Sequence, residues 1–281
     1  MITKSFQRQR DLVTIAVTSG KGGVGKTNVV VNLAVALARL RHRVAILDAD
    51  FGLGNVDVML GLAPPSHLGA VLAGTATLDE VMVEGPLGIK IIPSSSGVRA
   101  LTALSPTQWD RLSDVIEEVA ESFDFLIIDT ATGISDNAIE MLGFAKRVLV
   151  VTAIEPTAVV DAYAVIKLIS ATNAQREIGL LVNGAFDGTD AQLVFAQLEV
   201  AVQRFLHRKI TYYGFIAHDP AVRDAILMQR PIVDHLPQSA ASKCFRMLAA
   251  RFANQAPLED RTLRLVPRSR PAAVAGMGAR L

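Results

Sequence analysis

Residues 20–27 read Gly20-Lys21-Gly22-Gly23-Val24-Gly25-Lys26-Thr27, and this run restricts the fold more than any other feature of the chain. It fits the spacing G-x-x-x-x-G-K-[ST], which has physical meaning only between a buried strand and a helix. Both flanks are present. Val13–Thr18 is a short apolar run rich in β-branched residues, and Thr27–Leu40 has helical length and composition. The glycines permit tight, positive-φ turns, so that backbone N–H groups converge on phosphate oxygens. The helix that follows adds partial positive charge from its N-terminus. In this arrangement Lys26 reaches the β- and γ-phosphates of a nucleotide, and Thr27 offers its hydroxyl to Mg²⁺. A chance glycine-rich turn has no reason to carry strand, motif and helix in register.

The rest of the chain repeats the strand–helix alternation. Val44–Leu47, Ile89–Ile92, Phe125–Ile128, Val148–Thr152, Gly179–Val182 and Tyr212–Ile216 read as strands. Several are nearly continuous Val, Ile and Leu, as expected of strands buried on both faces. Thr107–Ser122, Asp136–Phe144, Thr157–Ala171, Ala191–Phe205, Pro220–Gln229 and Ser239–Ala253 read as helices. Ser105 followed by Pro106 predicts an N-cap with proline in the first turn. Trp109, Leu112, Val115 and Ile116 share one helical face, as do Phe245, Leu248 and Phe252, and both sets are expected in the core. The expected fold is α/β, a single doubly wound, mostly parallel sheet with helices on both faces. Three segments are expected: an extension at 1–12, a nucleotide-binding domain at 13–256 and a flexible tail at 257–281. The tail holds five arginines against Glu259 and Asp260, and Pro267 and Pro271 interrupt any helix there.

Carboxylates stand where such a sheet presents its chemistry, at the C-terminal ends of strands. Val44–Leu47 runs into Asp48-Ala49-Asp50, then Phe51-Gly52-Leu53-Gly54-Asn55-Val56-Asp57. Carboxylates here position water or hold Mg²⁺ through water. Asp and Asn also favour turns on their own account, so Asp50, Asn55 and Asp57 fit loop capping equally well. Phe125–Ile128 ends in Asp129, the expected partner of Mg²⁺ once a phosphate loop is present. Gly133, a few residues on, is a candidate N–H donor to the γ-phosphate, in a loop that relaxes after hydrolysis. Leu180-Leu181-Val182 ends in Asn183, whose amide has both donor and acceptor for an adenine edge. Asp219 and Pro220 follow the next strand and are expected to border the base.

Lys21 adds a second lysine to a loop that needs only Lys26. With it the motif resembles the deviant Walker A group of P-loop ATPases, the MinD/ParA family, whose pattern is KGGxGK[ST]. The resemblance spans roughly Val13 to Phe252. It implies ATP and Mg²⁺ as ligands, slow hydrolysis stimulated by a partner, and an ATP-dependent homodimer in which Lys21 crosses to the other subunit's nucleotide. It further implies that Asp48 positions the attacking water and Asp50 supports the metal and the first switch. Asn55 and Asp57 then belong to a loop that senses the γ-phosphate, and Asn183 reads the adenine. The stretches Asp48–Gly61, Asp129–Asn137, Glu155–Ile169 and Asp219–Pro231 look most like the FlhG/FleN branch, which limits flagellar number and helps set flagellar placement. That likeness implies a protein partner in flagellar assembly or its transcriptional control.

The sequence departs from that branch at its start. Many FlhG proteins carry D-Q-A-x-x-L-R near the N-terminus, and residues 1–12 here, MITKSFQRQRDL, do not. A membrane-binding helix at the end is also not expected. Leu263, Leu265 and Val266 flank Arg264, but Pro267 cuts the pattern, so any contact with lipid is weak. The formal charge is +1, and without the arginine-rich tail the chain is slightly acidic. It therefore does not show the basic footprint of a ParA-type DNA-binding partition protein, the main alternative. A metabolic P-loop ligase needs a substrate pocket for which no residue pattern stands out. One cysteine, Cys244, rules out a disulfide framework and any cluster needing several thiolates from one chain. The five histidines form no metal-binding pair, and no zinc site is expected. No signal peptide and no run of about 18 apolar residues is visible, which points to the cytoplasm, with transient polar or membrane-surface association allowed.

Overall fold

The computed structural model describes residues 12–94, 104–133, 135–173 and 176–254. The N-terminal extension up to residue 11, Ile134 beside Gly133 and the tail from residue 257 lie outside the described residues.

Among the described residues, eight strands form one sheet in the order β3-β4-β2-β5-β1-β6-β7-β8. They are β1 (Val13–Thr18), β2 (Val44–Ala49), β3 (Val83–Glu84), β4 (Lys90–Ile92), β5 (Phe125–Thr130), β6 (Arg147–Ala153), β7 (Glu177–Ala185) and β8 (Thr211–Ala217). All neighbours pair parallel except β3 with β4. Alternate residues of the central strands feed two separate cores, which is why their sequences are mostly apolar on both faces. Ala16, Leu47, Ile128 and Val150 face one core, and Ile15, Ile46, Ile127 and Leu149 face the other.

The helices are α1 (Lys26–Arg39), α2 (Val56–Met59), α3 (Leu68–Ala73), α4 (Leu78–Val81), α5 (Pro106–Ser122), α6 (Asp136–Leu142), α7 (Pro156–Thr172), α8 (Gly188–Leu206), α9 (Ala221–Leu227), α10 (Ile232–His235) and α11 (Ala240–Asn254). Helices α5, α7 and α8 cover the first core, and α1 and α11 the second. Helix α1 is buried on nearly every side between the sheet, α10 and α11. Its one deeply buried amide, Asn32, donates to Asn28 and accepts from Val233 N–H at 3.1 Å, tying α1 to α10. Helix α5 begins as its sequence indicates. Ser105 and Gln108 form a reciprocal capping box behind Pro106. Trp109, Leu112, Val115 and Ile116 are buried, as are Phe245, Leu248 and Phe252 on α11.

The sheet has one strand more than the sequence pattern indicates. The addition, β3, is a two-residue antiparallel edge. The expected helix at 220–229 is shorter, and α10 follows it separately. No sequence pattern marks helices α2, α3 and α4, since four to six residues do not establish a 3.6-residue period. Among the described residues no helix is long and apolar enough to cross a membrane.

Candidate functional site

The loop from Gly20 to Thr27 joins β1 to α1 at the C-terminal edge of the sheet. Two of its glycines are obligatory for different reasons. A Cβ on Gly20 would stand 2.2 Å from the Asp161 carbonyl oxygen of α7, so the loop sits against that helix. Gly25 has φ +88° and caps α1, and a Cβ there would meet the Asn183 side chain at 2.3 Å.

Lys26 lies beneath the loop, almost fully buried. Its Nζ donates to Asp129 Oδ1 at 2.5 Å, and the two side chains are 6% and 1% exposed. The Thr27 hydroxyl bonds the same carboxylate. Asp129 and Asp48 are register partners on adjacent parallel strands, β5 and β2, so two acidic side chains end side by side. Asp48 accepts N–H bonds from Asp50 (3.1 Å) and Val56 (3.2 Å). The second bond fixes the start of α2. Gly54 must be glycine here, because a Cβ would stand 2.5 Å from Ser94 Cβ and 2.8 Å from Asp48 Oδ2.

Burial sets the electrostatics. It pushes the Asp48 carboxyl up to about 7, with help from neighbouring Asp129 and against the two backbone N–H bonds. Burial also raises Asp129, and the Lys26 ammonium acts against that rise. The Asp48 shift has a thermodynamic consequence. Between about 3.8, the unfolded value, and about 7, the folded chain binds a proton at Asp48 that the unfolded chain has released. Stability contributed by this group is therefore complete below the unfolded value and is lost as pH rises to 7. Relative to Asp48→Asn, the native chain should lose up to about 1.4 kcal/mol per pH unit between pH 5 and 7 and then run parallel above it. Urea unfolding of both chains at several pH values measures this, and a constant difference across the range contradicts it.

Among the other expected switch residues, the side chains cap their own loop. Asp50 Oδ1 accepts from Leu53 N–H, Asn55 Nδ2 donates to Leu53 O, and Asp57 Oδ1 accepts from Val58 N–H. Gly133, at φ +90°, donates its N–H to Ser19 O at 2.9 Å, which ties the loop after β5 to the base of the phosphate loop. Asn183 lies two residues before the end of β7, and its Nδ2 donates to Val24 O at 2.7 Å and braces the phosphate loop. Asp219 accepts from Ala221 N–H and Ala241 N–H, so its carboxylate joins the starts of α9 and α11. Pro220 is the exposed residue that precedes α9.

The sequence reading missed the partner of Lys21. Lys21 Nζ donates to Glu155 Oε2 at 2.5 Å and to the Thr157 hydroxyl at 3.1 Å, at the start of α7 of the same chain. The only local signal was an acid before Pro156 at a strand end. Ser94 was missed as well; its hydroxyl donates to Asp50 O.

Comparison with known proteins places this geometry. A family model described as ParA, NUBPL iron-transfer P-loop NTPase, matches residues 12–253. The chain belongs to the ParA/MinD family of P-loop ATPases. Within this family it is 43% identical to the antiactivator FleN of Pseudomonas aeruginosa over 248 residues, covering 88% of this chain and 89% of FleN. It is 30% identical to the flagellum site-determining protein YlxH of Helicobacter pylori, covering 89% of this chain and 85% of YlxH. Among solved structures, the septum site-determining protein MinD of Pyrococcus horikoshii, complexed with Mg-ADP, superposes with a TM-score of 0.73 at 25% identity, covering 89% of this chain and all of that one. ParA/MinD proteins bind nucleotide and Mg²⁺, and the donor set here fits both. The loop offers positive-φ glycines and a buried lysine to phosphate. Thr27, Asp129, Asp48 and Asp50 offer oxygen, the ligand type a hard divalent cation takes.

Proposed function

We propose that this chain is an ATP-driven dimerisation switch that regulates flagellar number or placement through a protein partner, in the manner its likeness to FleN and YlxH suggests. The observation that carries the ATPase part is the buried group of Lys26, Asp129 and Asp48 under a phosphate loop, with the two carboxylates on adjacent strands and the lysine on the helix that the loop opens. Lys26 exchanges Asp129 for the β- and γ-phosphate oxygens of ATP. Thr27 and Asp129 would hold Mg²⁺, which would supply charge neutralisation for the transferred phosphoryl group. Asp48 accepts a hydrogen bond from the attacking water and orients it. Gly133 exchanges Ser19 O for the γ-phosphate, so the second switch reports the nucleotide state to the surface. Asp48 is bonded to the first residue of α2, so a change at its carboxylate is passed directly to Asn55, Asp57 and α2.

The biological half is tested by deletion of the gene in its host, scored by electron microscopy. Altered flagellar number or position is the expected result, restored by the native gene and not by the Lys26→Ala gene. Normal flagellation together with loss of a plasmid would favour the partition reading.

A further inference from the structure

The nucleotide's orientation in the site follows from the sheet order. Asp129 and Asp48 lie on β5 and β2, to one side of β1. These residues mark the metal and the γ-phosphate, so the α-phosphate, ribose and base extend the other way, over the ends of β6, β7 and β8. There Asn183 already has an amide N–H on Val24 O, and Asp219 serves two backbone groups. Neither offers a surface for the face of a base.

Phe186 and His218 do. Their rings lie 5.4 Å apart at the ends of β7 and β8, and Phe186 is 70% exposed. A single exposed Phe on a surface would mean little, but this one is held. The β7–β8 register breaks between Asn183 and Ala185, and Gly184 in that break has φ +69°. Such a bulge re-aims the chain beside a site. On the other side Asp187 caps α8 through Thr189 and Asp190 N–H. His218 N–H donates to Ala185 O at 2.7 Å, which locks the two loops together. The ring is thus presented by fixed backbone three residues from Asn183, whose side chain touches the phosphate loop.

We propose that Phe186, backed by His218, is the stacking platform for the adenine of ATP. This rests on the ATP-binding reading above. It assigns Asn183 to the edge of the base and Phe186 to its face. Stacking tolerates any base, because every base has a π-face, so Phe186 supplies affinity and Asn183 discrimination.

The test separates base from phosphate and platform from subunit contact. Calorimetry with Mg-ADP and with magnesium tripolyphosphate is run on the native chain, Phe186→Ala and Phe186→Tyr. The alanine variant should bind Mg-ADP roughly 5- to 150-fold more weakly and tripolyphosphate as the native chain does. The tyrosine variant should bind both normally. In a Phe186→Trp chain, ADP should quench the new indole and tripolyphosphate should not. Native ADP affinity in Phe186→Ala overturns the platform, as does equal weakening of both ligands. Loss confined to ATP-dependent dimerisation also overturns it and makes the ring a subunit contact. A native chain that binds neither ligand removes the ATP reading itself.

Discussion

Lys26→Ala should weaken Mg-ATP binding by about 30-fold or more, because truncating one partner of a buried, hydrogen-bonded charge pair typically costs about 2–5 kcal/mol. In the nucleotide-free chain the same change leaves Asp129 almost wholly buried without its ammonium. Removing one member of a buried ion pair destabilises by about 3–5 kcal/mol, so this variant will also unfold more readily. The two effects are separable. In Lys26→Met combined with Asp129→Asn, neither member of the pair is left charged without its partner, and most of the lost stability should return. Nucleotide affinity should not return, since neither the phosphate cation nor the Mg²⁺ carboxylate is present. Calorimetry and urea unfolding on the three chains decide the matter. A double variant that is stable and still binds Mg-ATP with native affinity would place the nucleotide elsewhere.

The residues that bear on this result differ in how far the sequence announces them. Gly20–Thr27 were legible because phosphate binding constrains the backbone itself, and Asp48 and Asp129 because each ends an apolar strand. That their strands are register neighbours required the sheet order, in which β5 enters between β1 and β2. Asn183 was visible as a strand-end amide, but its bond to Val24 joins positions far apart in the chain. Asp219 shows the same limit. Its place after a strand is visible, but its carboxylate's bonds to Ala221 N–H at the start of α9 and, 22 residues along, to Ala241 N–H at the start of α11 are not. Phe186 is one aromatic in a loop, with neither period nor spacing to mark it. The alternation of strands and helices was clear wherever an element was long enough to display a period. Helices α2 to α4 and strand β3 are held by contacts with larger elements, and no local pattern in their few residues reports that.

Lys21→Ala should abolish ATP-dependent dimerisation and hydrolysis together while keeping much of the monomer's nucleotide affinity. Lys26 already lies beneath the loop in cis. Lys21 lies outside it, bonded to Glu155 and Thr157 on its own chain, and to act across a dimer it must leave them. The geometry makes departure cheap. Lys21 and Glu155 are 37% and 61% exposed, and an ion pair in that setting is worth about 0–1 kcal/mol. A triphosphate on a facing subunit offers several charge-assisted bonds, which are the stronger kind. Two such ion pairs break per dimer, so Glu155→Gln should strengthen ATP-dependent dimerisation, by at most about 30-fold, the equivalent of about 2 kcal/mol. Light scattering with ATP and with ADP reads both variants, and only ATP should drive association. Mixing supplies the sharper test. Asp48→Ala subunits cannot orient water but keep Lys21, so they can lend it to Lys21→Ala subunits whose Asp48 is intact. Combined, two inactive chains should regain part of the hydrolysis that each lacks alone. If the mixture stays inactive and Lys21→Ala still dimerises with ATP, the lysine serves its own chain, and the bond to Glu155 is its role rather than its resting place.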